Sequence, residues 1–169
     1  MYYIAIAFHA ILVAPVGVIV VGACYIVSFL KGRRCFATLG WRAKYGKIDI
    51  VVFDIQDVGA RFYTYISTLT YLMEATAENN VEVMVLDRPN PHDGYTDGAV
   101  LDKKWKSFVG MHEVPVVYGL TIGEYGKMVN GEKWLEKEVQ AKYTLIPMKN
   151  YHKKLRYRIL DKQNSYGWR

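Results

Sequence analysis

Hydrophobic and polar positions divide this chain into two unlike parts. From Tyr2 to Leu30 no residue carries a formal charge, and the run exceeds the ~20 apolar residues that cross a bilayer as a helix. Residues 3–29 are therefore expected to form an apolar N-terminal helix spanning a membrane, with a cleaved signal peptide and a buried helix as the alternatives. A secretory signal begins with positive charge, and Met1-Tyr2-Tyr3 has none. Val21-Gly22-Ala23-Cys24 faintly resembles a lipoprotein cleavage box, but the apolar run continues through Leu30. Basic residues follow the run, beginning with Lys31, Arg33 and Arg34, which by the positive-inside rule puts the rest of the chain on the cytoplasmic side.

The pattern changes at Tyr45-Gly46-Lys47 and takes on a β-α-β rhythm. Residues 48–55 are apolar on both faces, as in a strand of a parallel sheet covered on each side. A helix is expected over 62–79, with Ile66, Leu69, Leu72, Met73 and Ala77 on one stripe. Asn79-Asn80 supplies residues that tolerate a left-handed stop. A second strand, 81–87, leads into a long loop from Arg88 to about Val114, rich in Pro, Gly, Asn and Asp. Short strands at 114–118 and 142–148 flank a helix from Ile122, and Thr121 with Glu124 has the form of a capping box. The fold class is α/β with a parallel sheet.

Charge changes the picture only once it is located. Of 22 basic residues six lie in residues 1–48, with none of the 16 acidic ones, so the +6 of the whole chain belongs to that segment and the remainder is neutral. That removes the main support for a nucleic-acid partner. Cys24 and Cys35 lie before the globular part and the four His residues have no ligand spacing, so neither a disulfide framework nor a metal site is expected. No Gly-x-Gly-x-x-Gly follows the first strand, which argues against a dinucleotide cofactor.

The candidate chemistry collects where strands end. A helical crossover between 48–55 and 81–87 makes those strands parallel and brings Asp54 and Asp87 to the same edge of the sheet, where open α/β sheets bind ligands. Adjacent strands would hold them about 5 Å apart, and one intervening strand about 10 Å. Either separation suits a carboxylate pair working on a glycosidic bond, although an Asp at a strand end also serves as a turn or cap residue. Gln56, Asp57 and Arg61 could recognise a sugar's hydroxyls or carboxylate, or could lock the loop internally. Tyr63 could stack on a ligand, Tyr65 reads as core, and Arg88 with Asn90 forms a polar rim stiffened by Pro89 and Pro91. Glu124 reads as a cap and His112 as a solvated loop residue.

Phe53-Asp54-Ile55-Gln56-Asp57-Val58-Gly59-Ala60-Arg61-Phe62-Tyr63-Thr64-Tyr65 and Leu86-Asp87-Arg88-Pro89-Asn90-Pro91 resemble the exo-β-N-acetylmuramidases, glycoside hydrolases of the NamZ type. So do Val100-Leu101-Asp102, Ser107-Phe108-Val109-Gly110 and Thr121-Ile122-Gly123-Glu124. The resemblance covers residues 46–157. It implies a Rossmann-like domain and a cell-wall hydrolase that removes terminal N-acetylmuramic acid from peptidoglycan fragments. It also implies a periplasmic or extracellular location, against the cytoplasmic side given by the basic cluster. Asp54 and Asp87 become the candidate catalytic residues, and Gln56, Asp57, Arg61, Tyr63, Arg88 and Asn90 the candidate sugar-binding ones. Neither a cofactor nor a metal is implied.

The chain departs from that family at both ends. The family carries upstream a Glu-His-Gly motif whose Glu is the favoured catalytic acid, and residues 1–45 contain nothing like it. Residues 158–169 diverge as well, Tyr118 stands where the family usually has His, and Ala99 where it usually has Pro. The expectation is thus an incomplete Rossmann-like domain at 46–157 between a membrane segment with its basic linker, 1–45, and a divergent tail, 158–169. Such a piece of a glycosidase would be truncated and inactive. The alternative is a membrane-tethered module that binds muramyl sugars without cleaving them.

Overall fold

The computed structural model describes residues 10–13, 18–21 and 49–153. Five strands form one sheet in sequential order: β1 (Ala10–Val13), β2 (Val18–Val21), β3 (Ile50–Phe53), β4 (Glu82–Leu86) and β5 (Lys142–Ile146). β1 is antiparallel to β2, and every later pair is parallel. Helix α1 (Tyr65–Glu78) joins β3 to β4, and α2 (Ile122–Gly131) precedes β5.

One expectation finds no support here. Residues 10–13 and 18–21 are strands, so a continuous helix over 3–29 does not form, and no helix among the described residues is long and apolar enough to cross a membrane. The physical reason lies in the run itself. Ile11, Val13 and Val18 to Val21 are all β-branched, and Pro15 and Gly17 fall between the two strands, a combination that disfavours helix and suits strands. The remainder of 3–29, the basic linker with both cysteines, and the tail at 158–169 lie outside the described residues.

The core forms between the sheet and the two helices. Ile66, Leu69, Leu72 and Met73 of α1 are buried, and they pack with Val51, Phe53, Val83 and Val85 from the strands and Ile122, Tyr125 and Val129 from α2. On β4, Val83 and Val85 are buried while Glu82, Met84 and Leu86 are half-buried, as period two requires of a strand whose one face meets the helices. Helix α1 starts at Tyr65 rather than Phe62 because the preceding residues are committed elsewhere. The Arg61 N–H donates to the Val116 carbonyl at 2.8 Å, and Tyr63 N–H closes a turn on Ala60. Asn80 takes φ +53° just after α1, the expected left-handed stop. Both halves of the Thr121/Glu124 capping box are present.

Residues 114–118 do not join the sheet. Val117 makes isolated bridges to Ala60 and Asp97 instead, so this stretch laces the long loop onto the exit of β3.

Candidate carbohydrate-binding edge

The exits of β3 and β4 leave the same end of the sheet, but Asp54 and Asp87 turn to different partners. Register sets Phe53 beside Val85, so one step on Asp54 lies level with Leu86, and Asp87, a residue later, points to the opposite face. Asp54 Oδ1 accepts from Arg88 Nε at 2.6 Å, with Arg88 Nη2 also at 2.6 Å. Asp87 instead completes the start of α2. Its Oδ2 accepts from Thr121 Oγ1 at 2.8 Å, and its Oδ1 accepts from the N–H groups of Gly123 at 2.9 Å and Arg88 at 3.0 Å. Both carboxylate oxygens are thereby engaged in holding a helix N-terminus, the end at which negative charge is stabilising. Burial outweighs these bonds and raises the Asp87 pKa above its ordinary value. Asp87→Ala is expected to lower stability by about 2–3 kcal/mol, because two backbone donors and one hydroxyl lose their acceptor. Urea denaturation of the variant against the parent chain measures this.

The loop after β3 is a brace. Gln56 Nε2 donates to the carbonyls of Asp57 at 2.8 Å and Pro89 at 2.6 Å, tying the two strand exits together. Asp57 is buried, its Oδ2 accepting from the Gly59 N–H at 3.0 Å and from the Tyr118 hydroxyl. Desolvation raises the pKa of Asp57, and burial beside that carboxylate pushes Tyr118 far above the ordinary phenol range. Arg61 donates from Nη1 to the carbonyls of Ala99 at 2.9 Å and Val114 at 2.5 Å. These bonds anchor the long loop, and no carboxylate ion pair to Arg61 forms among the described residues. Asn90 is buried as well, donating to the Leu120 carbonyl at 2.7 Å and accepting the His92 N–H at 2.7 Å.

What remains open at this edge is a smaller set. The Arg88 side chain is 42% exposed and Asp54 27%, and Phe62 and Tyr63 stand out from the β3 exit with their rings 5.5 Å apart. Glu124 accepts the Thr121 N–H at 3.0 Å and pairs with Lys153 at 2.7 Å. Lys153 also lies 3.6 Å from Asp93, whose other oxygen accepts the Tyr151 hydroxyl at 2.6 Å. Of the residues singled out in the sequence, the structure brings Asp54, Arg88 and Tyr63 to the open side, and turns Gln56, Asp57, Arg61, Asn90 and Asp87 inward or onto backbone.

Two residues carry more than their sequence context suggests. His112 is 5% exposed rather than solvated, its Nδ1 lies 2.9 Å from the Tyr125 hydroxyl, and its ring stacks on Trp134. Tyr118 packs its ring 5.0 Å from Tyr125. The apolar neighbours Met111, Val114, Val116 and Val117 are the only local signal that this stretch is buried. Among the described residues no group of three His, Cys, Asp or Glu side chains could hold a metal ion.

A sequential sheet, parallel from β2 to β5, with two helices and a polar, partly aromatic rim at its carboxyl ends defines an α/β domain of the ligand-edge type. Residues 40–165 match the family described as exo-beta-N-acetylmuramidase NamZ, N-terminal, and the chain belongs to that family. It is 46% identical over 109 residues to the peptidoglycan beta-N-acetylmuramidase NamZ of Bacillus subtilis (strain 168), an alignment covering 64% of this chain and 25% of the relative. Crystal structures of two DUF1343 family proteins from Bacteroides fragilis NCTC 9343 are similar in fold, each 43% identical, with TM-scores of 0.66 and 0.64. These cover 75% and 69% of this chain but 38% and 30% of theirs. The chain therefore spans between a quarter and two fifths of the relatives it matches.

Proposed function

We propose that this chain forms the sugar-binding edge of a peptidoglycan hydrolase of the exo-β-N-acetylmuramidase type, acting outside the plasma membrane on glycans that end in N-acetylmuramic acid. The observation that carries the reading is the half-exposed Arg88. Asp54 holds its Nε and Nη2, which orients the guanidinium and leaves its other N–H groups to take a carboxylate, such as the lactyl group of muramic acid. Phe62 and Tyr63 offer apolar rings for a sugar face.

The inward turn of Asp87 supports binding over turnover for these residues alone. Glycosidic cleavage uses two cooperating carboxylates, and at this edge Asp54 is held by Arg88 and Asp87 by the α2 N-terminus. Release of N-acetylmuramic acid from a synthetic disaccharide by the full chain is expected to be slow, about 10²–10⁴-fold below a glycosidase with both groups in place. Fast release would make Asp54 the working carboxylate. Binding without release would favour the non-catalytic module.

The two arginines separate binding from folding. Arg88→Ala is expected to weaken a muramyl disaccharide at least about tenfold in a calorimetric titration, with little change in melting temperature, since a half-exposed ion pair contributes only about 0–1 kcal/mol. Arg61→Ala should do the reverse at the level of the fold, because the carbonyls of Ala99 and Val114 lose their donor at a cost of about 1–3 kcal/mol. Equal loss of sugar affinity without destabilisation in Arg61→Ala would reject the assignment.

A further inference from the structure

A second cleft, of about 170 Å³, shares no residue with the carboxyl edge. It is smaller than the ~300 Å³ at which drug-sized sites begin, so it suits a small group. Its walls are of two kinds. Leu101, Met111 and Trp134 are apolar, while His112, Lys106 and the Lys103–Glu113 pair are polar. Glu113, the only carboxylate in the lining, lies 3.1 Å from Lys103, so Lys106 carries the uncompensated charge.

His112 gives the cleft a direction. The Tyr125 hydroxyl has one hydrogen-bond partner among the described residues, His112 Nδ1 at 2.9 Å; with the phenol assigned as donor, the imidazole N–H sits on Nε2. Nε2 is on the side of the ring away from Tyr125 and is buried with no hydrogen-bond partner among the described residues. A buried donor left unanswered is destabilising, and it fits a site whose acceptor arrives with a ligand. Lys106 lies near enough to act electrostatically on the imidazole. The unpartnered imidazole and the cation thus belong to one lining, together with the apolar walls.

We propose that this cleft binds a small amphipathic carboxylic acid, its carboxylate accepting the His112 Nε2–H and facing Lys106, its apolar stem lying against Leu101, Met111 and Trp134. The proposal goes beyond the sugar edge and does not rest on it. Lys103 and Glu113 add a neutral pair to the lining, and no bond is made or broken.

The test is an NMR titration of the ¹⁵N-labelled full chain with benzoate, with its neutral isostere benzamide, and with N-acetylmuramic acid. Benzoate is expected to give saturable shifts of the His112 imidazole and Trp134 indole signals. Benzamide should bind at least about tenfold more weakly, because charge-assisted bonds are the stronger kind. Lys106→Gln, an exposed change, should weaken benzoate about fivefold and leave benzamide unaltered. Matching shifts with N-acetylmuramic acid would identify the acid as the sugar's lactyl group, and shifts with benzoate alone would identify it as an apolar acid. Unmoved His112 signals at saturating benzoate, equal binding of benzoate and benzamide, or indifference to Lys106→Gln would overturn the proposal.

Discussion

Gly59→Ala is expected to cost about 3 kcal/mol or more, a large share of the ~5–15 kcal/mol that a domain holds in all. Two effects add. Gly59 sits at φ +78°, a backbone region that a side chain enters at a cost of about 1–2 kcal/mol. A Cβ there would also lie 1.9 Å from Asn90 Oδ1 and within 2.8 Å of both other amide atoms. Asn90 cannot yield without releasing the Leu120 carbonyl and the His92 N–H. The collision thus spreads from the β3 exit to the β4 exit. Solubility, circular dichroism and a urea melt of the variant measure the loss, and a cooperative melt within about 1 kcal/mol of the parent would show that the two exits are not locked together.

Acidification through His112 should have the second large effect. Burial, reinforced by the charge of Lys106, lowers the imidazole pKa to about 4 in the fold, against 6.5 for the free side chain. The unfolded chain therefore takes up the proton first. The stabilisation is fully present above pH 6.5 and is lost as pH falls toward 4, at 1.36 kcal/mol per unit, or about 3 kcal/mol by pH 4. Asp57 and Asp87 act in the opposite sense. Their raised pKa values mean that their contribution is present below the ordinary carboxylate range and is lost as pH rises through the folded value. The difference between the parent chain and His112→Gln isolates the imidazole. That difference should shrink by about 3 kcal/mol between pH 7.5 and 4 in matched urea melts. A difference that stays level would mean that the imidazole is solvated in the fold.

Both predictions turn on contacts far apart in sequence, and they mark where sequence reading stops. Local rules served well where a residue's fate depends on its neighbours. The stripe of Ile66, Leu69, Leu72 and Met73 faces the core because residues three and four apart share a helix face. The Thr121/Glu124 box closes on backbone groups within one turn. The motif from Phe53 to Tyr65, with Leu86 to Pro91, pointed to the family.

The N-terminal run shows the limit from the other side. A buried parallel strand and a spanning helix are both continuous apolar stretches, and hydropathy alone does not separate them. Only pairing of Val18–Val21 with Ile50–Phe53 in the sheet decided for strand. The roles of the polar residues were also left to tertiary structure. Asp54 and Asp87 look alike in sequence, each ending an apolar strand, but a one-residue offset in register sends one to Arg88 and the other to the α2 N-terminus. Arg61 looks like a ligand-binding cation, and the carbonyls of Ala99 and Val114, 38 and 53 residues away, claim it instead. Composition and periodicity report which residues are apolar and how often they recur. They carry no information on which distant carbonyl or carboxylate will meet a given donor, because that is set by strand order and loop path once the core has formed.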